Sequence, residues 1–249
     1  MPEPFDPRTT ALFLDLDGTL IEFGDTPLAV NVSPTLLDLL ERLAAACAGA
    51  LAVVTGRNLA TLDRLLAPLV LPVAGLHGLE RRDAHGRVYP PPSGLRALLE
   101  PPGARLHGFA AREPGLLVED KGAALALHYR AAPSAAARVL EFAAILAAEL
   151  PPELVVQRGH EVIEVRAAGA DKGTAITAFM AEAPFAGRRA VFIGDDRTDE
   201  HGFEVINARG GTSIKVGAGD TLAKARLADP AAVRAWLARA LGATTETLS

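Results

Sequence analysis

The chain has 249 residues, 49% hydrophobic and 22% charged, with a formal net charge of -5. That length and apolar content suit one large or two modest globular domains, and the acidic balance excludes a general basic field for nucleic acid or an anionic membrane. A single cysteine, Cys47, excludes an intrachain disulfide, no N-terminal segment reads as a signal peptide, and no apolar run reaches the roughly 20 residues of a spanning helix.

The expectation from these features is a cytoplasmic protein with no nucleic-acid or membrane partner; the oligomeric state stays open. Residues 11–14 form an apolar run that predicts a buried strand, and Asp15, Asp17, Gly18 and Thr19 follow it closely. In an extended chain Asp15 and Asp17 point to the same side. There they repel unless a cation or hydrogen-bond donors lie between them. Residues 28–32 read as a loop or short extended piece. Ser33-Pro34 opens a helix, with Ser as N-cap and Pro at the first helical position. Leu36, Leu37, Leu39, Leu40 and Leu43 give it an apolar face. Cys47 falls in the Ala-rich helical stretch 39–50 and reads as a packed small residue. Residues 51–54 predict a strand ending in Thr55-Gly56-Arg57, 58–66 a helix, and 70–75 a third strand followed by His77-Gly78. That alternation argues for parallel βαβ units. Residues 81–88, with His85-Gly86 in the middle, suggest a small hairpin.

Pro90, Pro91 and Pro92 cannot continue a helix or a central strand, and a domain boundary is expected there. Beyond it the rhythm changes. Residues 95–112 read as a helix interrupted at Pro101-Pro102-Gly103, and strands over 116–119 and 123–130 are joined by a turn at Asp120-Lys121-Gly122. A helix over 134–150 precedes strands over 154–157 and 162–165, which turn at Arg158-Gly159-His160. The order predicts a small antiparallel sheet with helices on one face. The βαβ rhythm resumes with a helix from Lys172, a strand over 190–193 ending in Gly194-Asp195-Asp196-Arg197-Thr198-Asp199-Glu200, a helix over 201–207 and a strand over 212–216. Asp229-Pro230 opens a terminal helix through Leu241, and the tail after Gly242 reads as frayed. The fold class expected is α/β: a doubly wound, parallel, Rossmann-like core (residues 1–90 and 167–249) with an inserted α+β cap domain (91–166).

Four polar clusters follow predicted parallel strands or open a helix: Asp15 with Asp17, Thr55-Gly56-Arg57, Lys172, and Asp195 with Asp196 and Asp199. Open parallel sheets build their sites at the carboxyl ends of the strands, so the four can converge. Two or three carboxylates suit a hard divalent ion, with Mg²⁺ the natural choice. The Thr55 hydroxyl, nearby backbone N–H groups and Lys172 can hold phosphate oxygens, which leaves one carboxylate free as nucleophile. Lysine is unfavourable at a helix N-terminus, which favours an anion beside Lys172. Asp196 reads either as a neighbour of the metal or as a helix cap, and Thr55-Gly56-Arg57 taken alone reads more readily as a capping turn.

Asp-Leu-Asp-Gly-Thr-Leu, Val-Val-Thr-Gly-Arg, Asp-Lys-Gly and Gly-Asp-Asp-Arg-Thr-Asp-Glu, in this order, resemble the four signature motifs of the haloacid dehalogenase (HAD) superfamily. Gly75-Leu76-His77-Gly78, Val118-Glu119-Asp120-Lys121-Gly122, Leu127-His128-Tyr129-Arg130 and Val162-Ile163-Glu164-Val165-Arg166 narrow the resemblance to the trehalose-6-phosphate phosphatase family. The resemblance implies Mg²⁺-dependent hydrolysis of a sugar phosphate through an aspartyl phosphate. Asp15 would be the nucleophile and Asp17 the general acid and base. Asp15, the Asp17 carbonyl, Asp195 and Asp199 would hold the metal. Thr55, Gly56 and Lys172 would bind the phosphoryl group. Arg57, His77, Glu119, Lys121, His128, Arg130, Gly159, His160 and Glu164 would meet the small-molecule substrate, with the cap closing to exclude water and select the sugar.

Two positions depart from the family pattern. Ala167 stands where the family usually has Pro, and His160 where a lysine is common. The alternatives kept open are a phosphatase for sucrose phosphate or a glycosyl-glycerate phosphate, and a non-catalytic phosphosugar sensor.

Overall fold

The structure is a computed structural model that describes residues 2–22 and 30–243. Part of the expected 28–32 piece and nearly all of the tail after Gly242 therefore lie outside the described residues. The fold is α/β, and the chain divides into two compact units, Met1–Tyr89 with Asp171–Ser249, and Pro90–Ala170.

In the first unit, β1 (Thr10–Leu14) is followed by α1 (Pro34–Ala46), β2 (Leu51–Val54), α2 (Leu59–Leu66), β3 (Val73–Gly75) and the short strands β4 (Glu80–Arg82) and β5 (Val88–Tyr89). Ser33 caps α1 by accepting from Leu36 N, and Asn58 caps α2 by accepting from Thr61 N. Both are short polar side chains that satisfy a first-turn N–H. Helix α1 stops at Ala46, so Cys47 is its buried C-cap residue rather than part of the helix. Strand β3 is shorter than the run 70–75 suggested. Pro72 has no N–H for the ladder, and Val70 stays 70% exposed ahead of it.

The second unit holds α3 (Leu95–Ala110), β6 (Leu117–Asp120), β7 (Ala124–His128), α4 (Ala136–Glu149), β8 (Leu154–Gly159) and β9 (Val162–Ala167). Helix α3 runs through Pro101 and Pro102, where an interruption was expected. Ala97 and Leu98, whose carbonyls lose their i+4 donors there, are exposed, so water can serve them. The β8–β9 turn also sits later than expected. Arg158 and Gly159 belong to β8, and Glu161, not Gly159, takes the positive φ of 56°. The four strands form an antiparallel sheet in the order β6-β7-β9-β8.

The first unit is completed by α5 (Lys172–Met180), β10 (Arg189–Gly194), α6 (Glu200–Ala208), β11 (Thr212–Val216), β12 (Ala225–Leu227) and α7 (Pro230–Ala243). Strand β12 has no counterpart in the sequence reading, because three residues between polar turns carry no periodic signal. The eight strands order as β12-β11-β10-β1-β2-β3-β4-β5. All pairs from β12 to β3 are parallel, and β4 and β5 extend the sheet antiparallel. The chain leaves β1 toward β2 on one side and returns at β10 on the other. The switch point thus falls between β1 and β10, where an open α/β sheet places its crevice.

Every residue of β1 is buried. Phe13 stacks on Phe185 at 5.4 Å and meets Phe179 at 6.0 Å, which locks α5 and the chain after it onto the centre of the sheet. Each such fully buried side chain is worth about 1.5–3 kcal/mol. Helices α5 and α6 cross closely. A Cβ on Gly173 would lie 2.6 Å from the His201 carbonyl oxygen, and one on Gly202 would lie 2.4 Å from the Phe192 ring. Among the described residues, no helix is long and apolar enough to cross a membrane.

Gly173→Ala is therefore expected to lower unfolding stability by about 1–3 kcal/mol through overpacking. Gly108→Ala, at a helix position with open space around it, should be neutral or slightly stabilising. Urea unfolding of the two variants checks the contrast.

Candidate active site

The loop after β1 turns sharply. Leu16 O accepts from the N–H groups of Thr19, Leu20 and Ile21, and Gly18 takes a φ of 78°. Asp15 remains at the strand end, only 4% exposed, with its N–H donating to Ile193 O at 3.0 Å. On the next strand, β10 ends at Gly194 and Asp195 follows it. The two acids thus emerge side by side from paired strands.

Lys172 reaches them from the first residue of α5. Asp171 caps that helix in a capping box with Thr174. The Lys172 ammonium donates to Asp15 Oδ1 at 2.7 Å and to Asp199 Oδ1 at 2.7 Å. The other Asp199 oxygen accepts from Asp195 N at 3.0 Å and Asp196 N at 2.9 Å. This packing needs Gly194, since a Cβ there would lie 2.2 Å from Asp199 Cγ. Thr19 completes the cluster. Its hydroxyl lies 3.0 Å from Asp15 Oδ2 and 3.2 Å from Asp195 Oδ1 and bridges the two carboxylates.

Burial pushes the Asp15 carboxyl well above its ordinary range; Lys172 opposes the rise, and the Asp199 and Asp195 charges add to it. Burial also pushes Asp195 up, to about 7, with the Asp199 charge adding. Burial pulls Lys172 down, but the Asp15 and Asp199 charges outweigh it and hold the ammonium above its usual value. One ammonium therefore does not balance these acids, and the cluster retains an affinity for positive charge. Asp15, Asp195 and Asp199 each offer an oxygen within 4.8 Å of the others, a spacing and donor set that fit a hard divalent cation. Asp199, with both oxygens engaged, also positions Lys172 and the 194–196 backbone.

Asp17 is held differently. Its carboxylate accepts from Arg57 Nε at 2.7 Å and Arg57 Nη2 at 2.6 Å, a two-point ion pair across 40 positions. Arg57 sits in a pair of interlocked loops. Leu76 N donates to Arg57 O at 2.9 Å and His77 N to Thr55 O at 2.8 Å. Leu76 and His77 both take positive φ, 48° and 57°, a conformation that side chains other than glycine tolerate only when their surroundings impose it. A Cβ on Gly56 would lie 2.6 Å from His77 Nε2, so Gly56 and buried His77 occupy one packing position. The Thr55 hydroxyl accepts from Arg57 N at 3.3 Å. Asp196 caps the turn that follows it, and Glu200 accepts from Leu222 N at 2.8 Å.

The other candidates lie in the second unit. Glu119, Ala126, Glu164 and Gln157 are register partners across its four strands, so they share a face. Lys121 forms an ion pair with Glu164, and His128 Nε2 lies 2.8 Å from Glu119 Oε2 on the same face. Arg130 and His160 are not part of that row. Arg130 Nε donates to Glu161 at 2.9 Å, and His160 lies 3.8 Å from Glu161, beside Gly159 at the β8–β9 turn.

Sequence reading missed Thr19, the partnership of Arg57 with Asp17, and buried Lys215, which donates to the Asp195 carbonyl and to Val216 O. Thr19 stands within the first polar cluster, but no spacing rule points its hydroxyl at two carboxylates.

Thr19→Val should cost about 1–3 kcal/mol of stability, because buried Asp15 and half-buried Asp195 lose their shared donor; urea unfolding measures it. For Glu119, burial raises the carboxyl, but the His128 bond and the Lys121 charge outweigh it and hold it below the usual range. Its stabilisation is present above the unfolded glutamate value of about 4.3 and is lost as pH falls through the lower folded value. Glu119→Gln should make the acid-side decline of stability shallower.

A family model for trehalose-phosphatase matches residues 13–231. A probable trehalose-phosphate phosphatase of Sinorhizobium fredii is 48% identical over 210 residues, covering 83% of this chain and 77% of its own. The trehalose-6-phosphate phosphatase of Escherichia coli is 44% identical over 230 residues, covering 91% and 85%. Among solved structures, a trehalose-6-phosphate phosphatase related protein superposes with a TM-score of 0.75 at 27% identity, covering 95% of this chain and 99% of that one. The chain is thus a member of the trehalose-phosphatase family, phosphoric monoester hydrolases with the HAD fold.

Proposed function

We propose that the protein hydrolyses trehalose 6-phosphate to trehalose and inorganic phosphate, with the phosphoryl group carried transiently on Asp15. The observation that carries the reading is the buried cluster in which Lys172 joins Asp15 to Asp199 while Thr19 joins Asp15 to Asp195. Phosphoryl transfer asks mainly for in-line positioning and neutralised oxygens, and an ammonium and a hydroxyl grouped around one carboxylate support that reading.

Asp15, Asp195 and Asp199 would hold Mg²⁺ together with the Asp17 carbonyl. When bound, that ion supplies positive charge against the phosphoryl oxygens. Asp15 attacks phosphorus, and the bond from phosphorus to the sugar oxygen breaks. The proton carried by Asp17 goes to that oxygen. Water then gives a proton to Asp17 and attacks phosphorus, the bond to Asp15 breaks, and phosphate leaves. Lys172 and the Thr55 hydroxyl hold phosphoryl oxygens during both halves, beside the Gly56 backbone.

Arg57 holds the Asp17 carboxylate at two points. An incoming phosphate dianion competes for the same guanidinium, and that exchange releases the Asp17 carboxyl to face the sugar oxygen. The polar sheet face of the second unit, with Glu119, Lys121, His128 and Glu164, supplies the mixture of carboxylates and cations that sugar hydroxyls need. Arg130, just past β7, and Gly159 and His160 at the β8–β9 turn would add contacts to the glucosyl rings, and His77 would support the core loop.

Asp15→Asn should abolish phosphate release while the thermal melt stays cooperative; activity above a few per cent of wild type would reject Asp15 as nucleophile. Chelation of divalent ions should stop turnover, and added Mg²⁺ should restore it. A panel of sugar phosphates tests the substrate: preference for trehalose 6-phosphate supports the reading, and equal rates on sucrose phosphate overturn its specificity.

A further inference from the structure

We propose that Lys215 is a positioning residue for Asp195, fixing the direction in which that carboxylate faces a divalent cation. The inference rests on the cation-site reading given above. Lys215 lies on β11 directly beside Gly194, its register partner on β10, one residue before Asp195. It is 7% exposed, and its ammonium donates to the Asp195 carbonyl oxygen and to Val216 O at 2.8 Å. Both acceptors are backbone carbonyls at the carboxyl edge of the sheet.

A buried ammonium carries a desolvation cost of several kcal/mol, so its placement calls for a compensating field. The two backbone carbonyl dipoles that accept from it contribute to that field. Lys172 spends its bonds on Asp15 and Asp199. Asp195 is anchored on three sides: its N–H donates to Asp199, its carboxylate lies beside the Thr19 hydroxyl, and its carbonyl accepts from Lys215. Loss of the last anchor leaves the Asp195–Asp196 peptide held only through the Asp196 N–H bond to Asp199, so that it can tilt and carry the carboxylate with it. Groups that orient metal ligands in this way typically govern affinity by about 10–100-fold.

Lys215→Met keeps the stem and removes the donors. In calorimetric titration of the metal-free protein with Mg²⁺, this variant should bind about tenfold more weakly than wild type. The Mg²⁺ concentration for half-maximal phosphate release should rise in step, while kcat at saturating Mg²⁺ recovers. Lys215→Arg, which keeps a cationic donor, should regain part of the affinity. Mg²⁺ binding by Lys215→Met equal to wild type overturns the proposal, as does a loss of kcat that saturating Mg²⁺ does not restore. If Lys215→Met fails to fold, Lys215→Gln against Lys215→Arg carries the same comparison, and failure of Gln to fold while Arg binds Mg²⁺ normally assigns Lys215 a purely structural role and overturns the proposal. Wild-type protein that binds no Mg²⁺ overturns the cation site itself, and Lys215's role with it. A normal variant beside a Mg²⁺-binding wild type overturns only the Lys215 assignment.

Discussion

The ammonium of Lys172, held between Asp15 and Asp199, is the contact on which the rest of the core unit depends. All three side chains are almost fully buried, and such charges are tolerated only when geometry supplies every partner. The fold supplies them by exact local means. A capping box starts α5 at the residue where the lysine is needed. Gly173 lets that helix approach α6, and Gly194 lets Asp199 slide beneath the backbone to collect two N–H groups. Each device is local, and each serves a contact that spans 27 to 157 positions.

The same economy appears on the other side of β1. The loops after β2 and β3 hydrogen-bond to each other, and left-handed Leu76 and His77 are the conformational cost of that junction. The junction aims Arg57 at Asp17. Two carboxylates two residues apart therefore live in unlike surroundings, one facing an ammonium and a hydroxyl, the other a guanidinium. That difference is the physical basis for the different tasks proposed for them. In the second unit, small Ala126 between Glu119 and Glu164 leaves room for a row of charged side chains on a single sheet face.

Much of this was legible in the chain because the signals are local. Apolar runs gave the central strands, Ser33 with Pro34 marked a helix start, and acidic pairs stood immediately beyond the strands. Where reading failed, the deciding forces were not local. Helix α3 continues through two prolines because its freed carbonyls face solvent, a matter of which side was buried. The β8–β9 turn is set at Glu161 by strand pairing and not by the nearby glycine. Strand β12 exists because β11 offers it an edge.

The sequence by itself determined the α/β alternation, the inserted α+β segment and the inventory of acids, lysines and glycines, since propensity, periodicity and turn chemistry act over a few residues. Only the tertiary structure decided how those groups pair. It joined Asp17 to Arg57, stretched Thr19 between Asp15 and Asp195, and set Lys215 against the Asp195 carbonyl. Those pairings follow from the order and register of strands far apart in the chain, which no window of neighbouring residues encodes.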